Sequence, residues 1–93
     1  MSKIKRIDEL ARILARLRKD GKKIVHCHGV FDLLHPGHIK HFEVAKEKGD
    51  ILIVTVTQDE HVNKGPGRPI FNVQLVAESI ACIECVDYVA IIE

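Results

Sequence analysis

The sequence predicts an α/β fold: one N-terminal helix, then a parallel three-stranded half-sheet with flanking helices. Three observations predict it. Strand-like and helix-like stretches alternate as β-α-β-α-β after the first helix, which is the pattern of parallel βαβ units with right-handed crossovers. The run Ile51 to Val56 is almost entirely apolar and β-branched, as in a strand buried on both faces. Gly21, Gly29, Pro36 and Gly49 punctuate the chain where elements should begin or end.

The first helix is expected over Asp8 to Asp20. Leu10, Ile13, Leu14 and Leu17 fall at helical spacing, Asp8 is suited to cap the first turn, and Gly21 supplies the stop. Lys23 to His28 reads as the first strand, ending at Gly29. A second helix is expected over 36–48, with Pro36 in its first turn and Ile39, Phe42 and Ala45 on its inner face. Ile51 to Val56 is the second strand, and Thr57 to Pro69 a polar loop rich in Gly and Pro. Asn72 to Glu84 reads as a third helix with Val73, Val76, Ile80 and Ile83 on one face. Tyr88 to Ile92 is the third strand. The chain divides into the N-terminal helix, 1–21, and the half-sheet unit, 22–93.

At 93 residues and 46% apolar composition the chain is one small globular domain rather than a disordered segment. No apolar run approaches the roughly 20 residues that cross a bilayer, so no membrane partner is expected. Aromatic residues make up only 4%, with no Trp, which argues against single-stranded nucleic acid as a partner, since such sites need stacking platforms. Three cysteines suggest no disulfide framework, and the expected compartment is a reducing cytoplasm. Residues 1–23 carry nine Lys/Arg against three acids, whereas 24–93 carry five against ten. The basic part reads as a solvated helix face ahead of an acid-seeking patch.

In open parallel sheets, ligands bind beyond the carboxyl ends of the strands. That rule selects the loops Gly29 to Pro36 and Thr57 to Pro69. The first reads Gly29-Val30-Phe31-Asp32-Leu33-Leu34-His35-Pro36-Gly37-His38. The unpaired N–H groups of a helix start attract an anion, Gly37 permits close backbone approach, and His35 and His38 add two imidazole donors. The arrangement suits a nucleoside triphosphate whose charge shifts onto a leaving oxygen during reaction. In the second loop, Lys64 and Arg68 flank Gly65-Pro66-Gly67, as a loop closing over phosphates would, or as an ordinary solvated turn would. Asp32 either helps hold a cation or forms an Asx-type turn. His26 and His28 share one face of the first strand: His28 is placed to line the pocket, and His26 reads as a satisfied buried histidine. Cys82 and Cys85 form a CxxC, open to a zinc, redox or buried-thiol reading, and the last is preferred because no second pair accompanies it.

The stretch from Gly29 to His38 resembles the HxGH signature of the cytidylyltransferase-like nucleotidyltransferases. Residues 62–69 and 84–89 are most similar to the branch acting on sugar phosphates, in particular the adenylyltransferase domain of bifunctional heptose-phosphate kinase/adenylyltransferases. The resemblance covers 22–93 and implies a Rossmann-like (HUP-type) fold. It also implies transfer of a nucleotidyl group from ATP or CTP to a sugar phosphate, with release of pyrophosphate and with Mg²⁺ accompanying the nucleotide. It assigns His35, His38 and Lys64 to catalysis, and Gly29, Val30, Phe31, Gly37, His38 and Arg68 to nucleotide and phosphate binding. No protein-held metal site is implied.

Two departures from the family pattern stand out. The chain stops after the third strand, before a late phosphate-binding segment, which implies a fragment or shortened copy that binds nucleotide with little or no turnover. Val76 also stands where the resemblance expects Arg. The first strand's outer edge is expected to be bare, and a homodimer or larger oligomer to cover either that edge or the apolar face around Val76 and Val89.

Overall fold

The computed structural model describes residues 2–29, 36–57 and 73–92. The element order is α1 (Ile7–Lys19), β1 (Ile24–Gly29), α2 (Pro36–Lys46), β2 (Ile51–Thr57), α3 (Val73–Ala81) and β3 (Tyr88–Ile92). The strands form one parallel sheet in the order β1-β2-β3. Ile24 pairs with Ile51 and Gly29 with Val56; Ile53 pairs with Tyr88 and Thr57 with Ile92. The half-sheet expected from the sequence is therefore the observed architecture.

Alternation along each strand divides the molecule into two layers of core. Leu52, Val54, Val56 and Val89 face α2 and α3, where they meet Phe42, Ala45, Val76, Ala77 and Ile80. Ile53 and Ala90 face α1, where they meet Leu10 and Leu14. Burying a side chain such as Leu52 or Ile80, neither of which is exposed at all, contributes roughly 1.5–3 kcal/mol. Positions 52 to 56 of β2 are all buried, because this strand has a neighbour on each side and helices on both faces.

α1 ends as its sequence requires. Gly21 has φ +82°, a backbone region that side chains disfavour. Its N–H donates to the Arg18 carbonyl at 3.0 Å, and the Lys22 N–H donates to the Leu17 carbonyl at 2.9 Å, the pair of bonds that closes a Schellman motif. The start of α1 differs from expectation. Arg6 is the N-cap residue, with no side-chain capping bond; Asp8 lies inside the first turn and pairs with Arg6 at 3.5 Å.

Two further helix boundaries are shorter than the spacing predicts. α2 stops at Lys46, after which Lys48 and Gly49 bond back only three residues. α3 stops at Ala81, and i-to-i+3 bonds from Ile83 and Val86 tighten the chain so that Val86 enters the core. Phe42 and Ala45 form the inner face of α2 as expected, but Ile39 is 40% exposed. It lies one turn nearer the helix start, where α2 approaches the carboxyl edge and less of the sheet is left to cover it.

The sheet's two edges differ. Lys3 to Lys5 runs along β3: the Lys5 N–H donates to the Val89 carbonyl at 2.8 Å, and the Val89 N–H donates to the Lys3 carbonyl at 3.0 Å. The expected bare edge on β1 is seen, since among the described residues only β2 pairs with it. The apolar face around Val76 and Val89 is not available for assembly. Val76 is 3% exposed and Val89 fully buried, both inside the core that α3 closes.

Candidate functional site

The parallel register brings Gly29, Val56 and Thr57, and Ile92 to one end of the sheet. α2 leads from that carboxyl edge back to the start of β2, so its first turn lies at the same end. Pro36 opens α2, where its missing N–H costs nothing. Gly37 is exposed and His38 half-buried in this turn. Neither α2 nor α3 carries an acid in its first turn, whereas α1 carries Asp8 and Glu9 in its own. The positive ends of the two helices that start beyond the strand ends are thus left without carboxylates of their own, a favourable field for phosphate.

Of the residues expected at the site, the structure brings Gly29, Gly37 and His38 to this edge. Val30, Phe31, Asp32, His35, Lys64 and Arg68 lie outside the described residues, as does the polar loop beyond Thr57.

The structure adds a residue that sequence reasoning missed. Thr55, only 2% exposed, sits on β2 directly across from His28. Its Oγ1 lies 2.7 Å from His26 Nε2 and 2.7 Å from His28 Nδ1. The two rings stand edge to face, 6.4 Å apart. The available signal was the hydroxyl residue interrupting an apolar strand beside a strand bearing His at i and i+2. His26 is satisfied as expected, but it is exposed rather than buried, because α1 packs chiefly against β3 and leaves the β1 side of this face open. Partial burial, then the neighbouring His28, push the His26 imidazole below its ordinary value.

The cysteines are all free. Cys82 is exposed, which corrects the expectation of buried thiols, while Cys27 and Cys85 are half-buried. Burial raises the Cys27 thiol, and burial followed by the Glu43 carboxylate raises that of Cys85. Among the described residues, no group of three or more His, Cys, Asp or Glu is placed to hold a metal ion. Among them, too, no helix is long and apolar enough to cross a membrane.

Comparison with known proteins bears on the same segment. The family described as Cytidylyltransferase-like matches residues 26–93. The chain is 43% identical over 94 aligned residues to the bifunctional protein HldE of Citrifermentans bemidjiense, covering 99% of this chain and 19% of that protein. It is 45% identical to the HldE of Aliarcobacter butzleri, covering 99% of this chain and 20% of the relative. The chain therefore spans about a fifth of the length of these curated relatives. Among solved structures, it is similar to a lipopolysaccharide core biosynthesis protein from Thermoplasma volcanium GSS1. The TM-score is 0.67 at 33% identity, over 78% of this chain and 60% of the other. With the motif loop joining β1 to α2 and the match extending through β3, the chain belongs to the cytidylyltransferase-like family.

Proposed function

We propose that this chain carries the phosphate-binding half of a nucleotidyltransferase, which moves a nucleotidyl group from ATP or CTP to a sugar phosphate. The observation that supports it is the placement of the Gly29–His38 motif on the connection from β1 to α2, with a carboxylate-free helix start at the carboxyl edge. In this reading an oxygen of the acceptor's phosphate attacks the α-phosphorus of the nucleotide. The bond from that phosphorus to the bridging oxygen breaks, and its electron pair leaves with pyrophosphate. No covalent enzyme intermediate forms. The Gly37 region and His38, with His35 supplied by the motif, hold the triphosphate and offset the charge that grows on the leaving oxygen. Lys64 and Arg68 close over the phosphates. Likeness to a protein named for lipopolysaccharide core biosynthesis suits a sugar-bearing acceptor. Mg²⁺ accompanying the nucleotide would supply charge neutralisation at the phosphates. The three free cysteines suit a reducing cytoplasm.

Calorimetric titration with ATP and with CTP tests the assignment. Losing one charge-assisted contact costs about 1.5–3 kcal/mol, so His38→Ala should weaken nucleotide binding by roughly 10- to 100-fold. Unchanged affinity would remove His38 from the site. A second reading is nucleotide binding without turnover. It is expected to give saturable binding and no pyrophosphate. Steady pyrophosphate release by the 93-residue chain with ATP or CTP and a sugar 1-phosphate would reject it.

A further inference from the structure

Thr55 Oγ1 carries a single proton and stands 2.7 Å from a nitrogen of each of two imidazoles. A hydroxyl so placed donates to one nitrogen and accepts from the other. While both rings are neutral, only one of His26 Nε2 and His28 Nδ1 therefore carries a hydrogen, so the two rings share one tautomer, both Nε2–H or both Nδ1–H. Thr55 is 2% exposed, so losing either bond leaves a nearly buried hydroxyl short of a partner.

The pair is also asymmetric in place. His28 is the penultimate residue of β1, directly before Gly29 and the motif loop, while His26 lies one pleat further from the carboxyl edge. Both side chains are open to solvent. The bond to Thr55 uses Nδ1 of His28, so a further contact from this ring is made through Nε2. The groove of about 280 Å³ that runs past His26 and Thr55 is lined by one other charged group, Arg18 of α1, and by no carboxylate. The remaining lining from α1, β1, β2 and β3 includes Leu10, Ile24, Ile53 and Ile92, which carry no charge.

We propose that His28 is a further ligand-contacting residue, held by Thr55 with His26 behind it so that its Nε2–H donates to a phosphate monoester at the carboxyl edge. The inference rests on the reading of this edge as a nucleotidyl-transfer site, and it assigns the monoester to the acceptor. The hydrogen bonds then run in one direction: His26 Nε2–H donates to Thr55 Oγ1, the Thr55 hydroxyl donates to His28 Nδ1, and His28 Nε2–H donates to the phosphate. Thr55 and His26 are positioning residues, since they act through the ring of His28.

Long-range ¹H–¹⁵N spectra of the imidazoles test this, with ATP, inorganic phosphate and glucose 1-phosphate added separately. The expected result is opposite protonation of His26 Nε2 and of His28 Nδ1 in the neutral rings, and a response of His28 Nε2 to glucose 1-phosphate. Inorganic phosphate alone separates simple anion attraction from recognition of a sugar-bearing ester, which should saturate at lower concentration. Thr55→Val, close to Thr in shape, should release both rings and weaken monoester binding about tenfold, while Thr55→Ser, which keeps the hydroxyl, should restore it. Unlike tautomers in the two rings, both rings in the Nδ1–H form, or a His28 signal indifferent to the monoester, would overturn the proposal. ATP acting on His38 without any monoester effect on His28 would defeat this inference alone. ATP leaving His38 untouched would defeat the nucleotide reading, while the monoester response still decides the role of His28.

Discussion

Asp87 shows how much of this structure is settled by single polar side chains. Its Oδ2 accepts from the Leu52 N–H at 2.7 Å and from Lys46 Nζ at 2.6 Å, and its own N–H donates to the Leu52 carbonyl at 2.9 Å. One carboxylate thus ties the start of β2 to the end of α2 and the approach to β3. Nothing in the sequence singles it out, because its partners come from positions 35 and 41 residues away. Thr55 escaped notice for the same reason: its importance lies in a cross-strand partnership with two histidines. The motif residues were legible because helix starts, glycines and imidazoles announce phosphate chemistry locally. The cysteines give a residue-level test. Cys82 is exposed, whereas burial raises the thiols of Cys27 and Cys85 and leaves less reactive thiolate. Under limiting iodoacetamide, peptide mass analysis should find Cys82 modified first; equal labelling of all three would contradict the burial seen here.

Elements were legible where pattern and packing agree. β2 was readable because a strand covered on both faces must be apolar throughout, and β3 because it follows a helix of matching period. Ile39 misled because a helical stripe says which side faces inward but not how far the sheet extends beneath it. The ends of α2 and α3 misled because the chain tightens there to deliver Asp50 and Val86 to their partners. Gly49 is the sharpest constraint at this scale. A Cβ at that position would lie 2.7 Å from Val25 Cγ2 and 2.9 Å from the Lys23 carbonyl oxygen, where the turn from α2 into β2 passes over the start of β1. The Asp50 N–H donates to the same Lys23 carbonyl at 2.8 Å, and the Lys23 N–H donates to Asp50 Oδ2 at 2.7 Å. Gly49→Ala should push this turn off the strand and destabilise the fold by about 1–3 kcal/mol, measured as a lower urea midpoint. An unchanged midpoint would mean that the turn shifts freely.

For the molecule as a whole, pH and assembly follow from the same sheet. The ordinary His26 value is 6.5, and burial followed by the charge of His28 lowers it in the folded chain. Below 6.5 the unfolded chain therefore takes up this proton more readily than the folded chain does. The stability associated with neutral His26 is intact above that value and is lost as the pH falls through the lowered folded value. Urea midpoints should decline on acidification across this window, and His26→Gln should flatten the decline. An equal slope in the variant would assign the acid sensitivity elsewhere. Among the described residues the outer edge of β1 is unpaired at Ile24, His26 and His28, so a homodimer joined along β1 is the expected assembly. Sedimentation equilibrium at micromolar concentration should show a species heavier than 10.5 kDa, and His26→Pro, which removes an N–H facing away from β2, should abolish it. A strictly monomeric wild-type chain would show that this edge needs no partner.

The strand-like pairing of Lys3 to Lys5 with Val89 has a consequence for local opening. It joins positions 85 residues apart at Ile4 and Val89, through two backbone hydrogen bonds and one from Lys3 Nζ to the Ile83 carbonyl. So few bonds closing so long a stretch of chain can release while the rest of the sheet stays closed. Amide hydrogen exchange at Lys5 and Val89 should therefore run ahead of exchange at Leu52 to Val56. Each such excursion lays bare the outer side of β3, so the molecule has a second pairing edge that exists only for the lifetime of the opening.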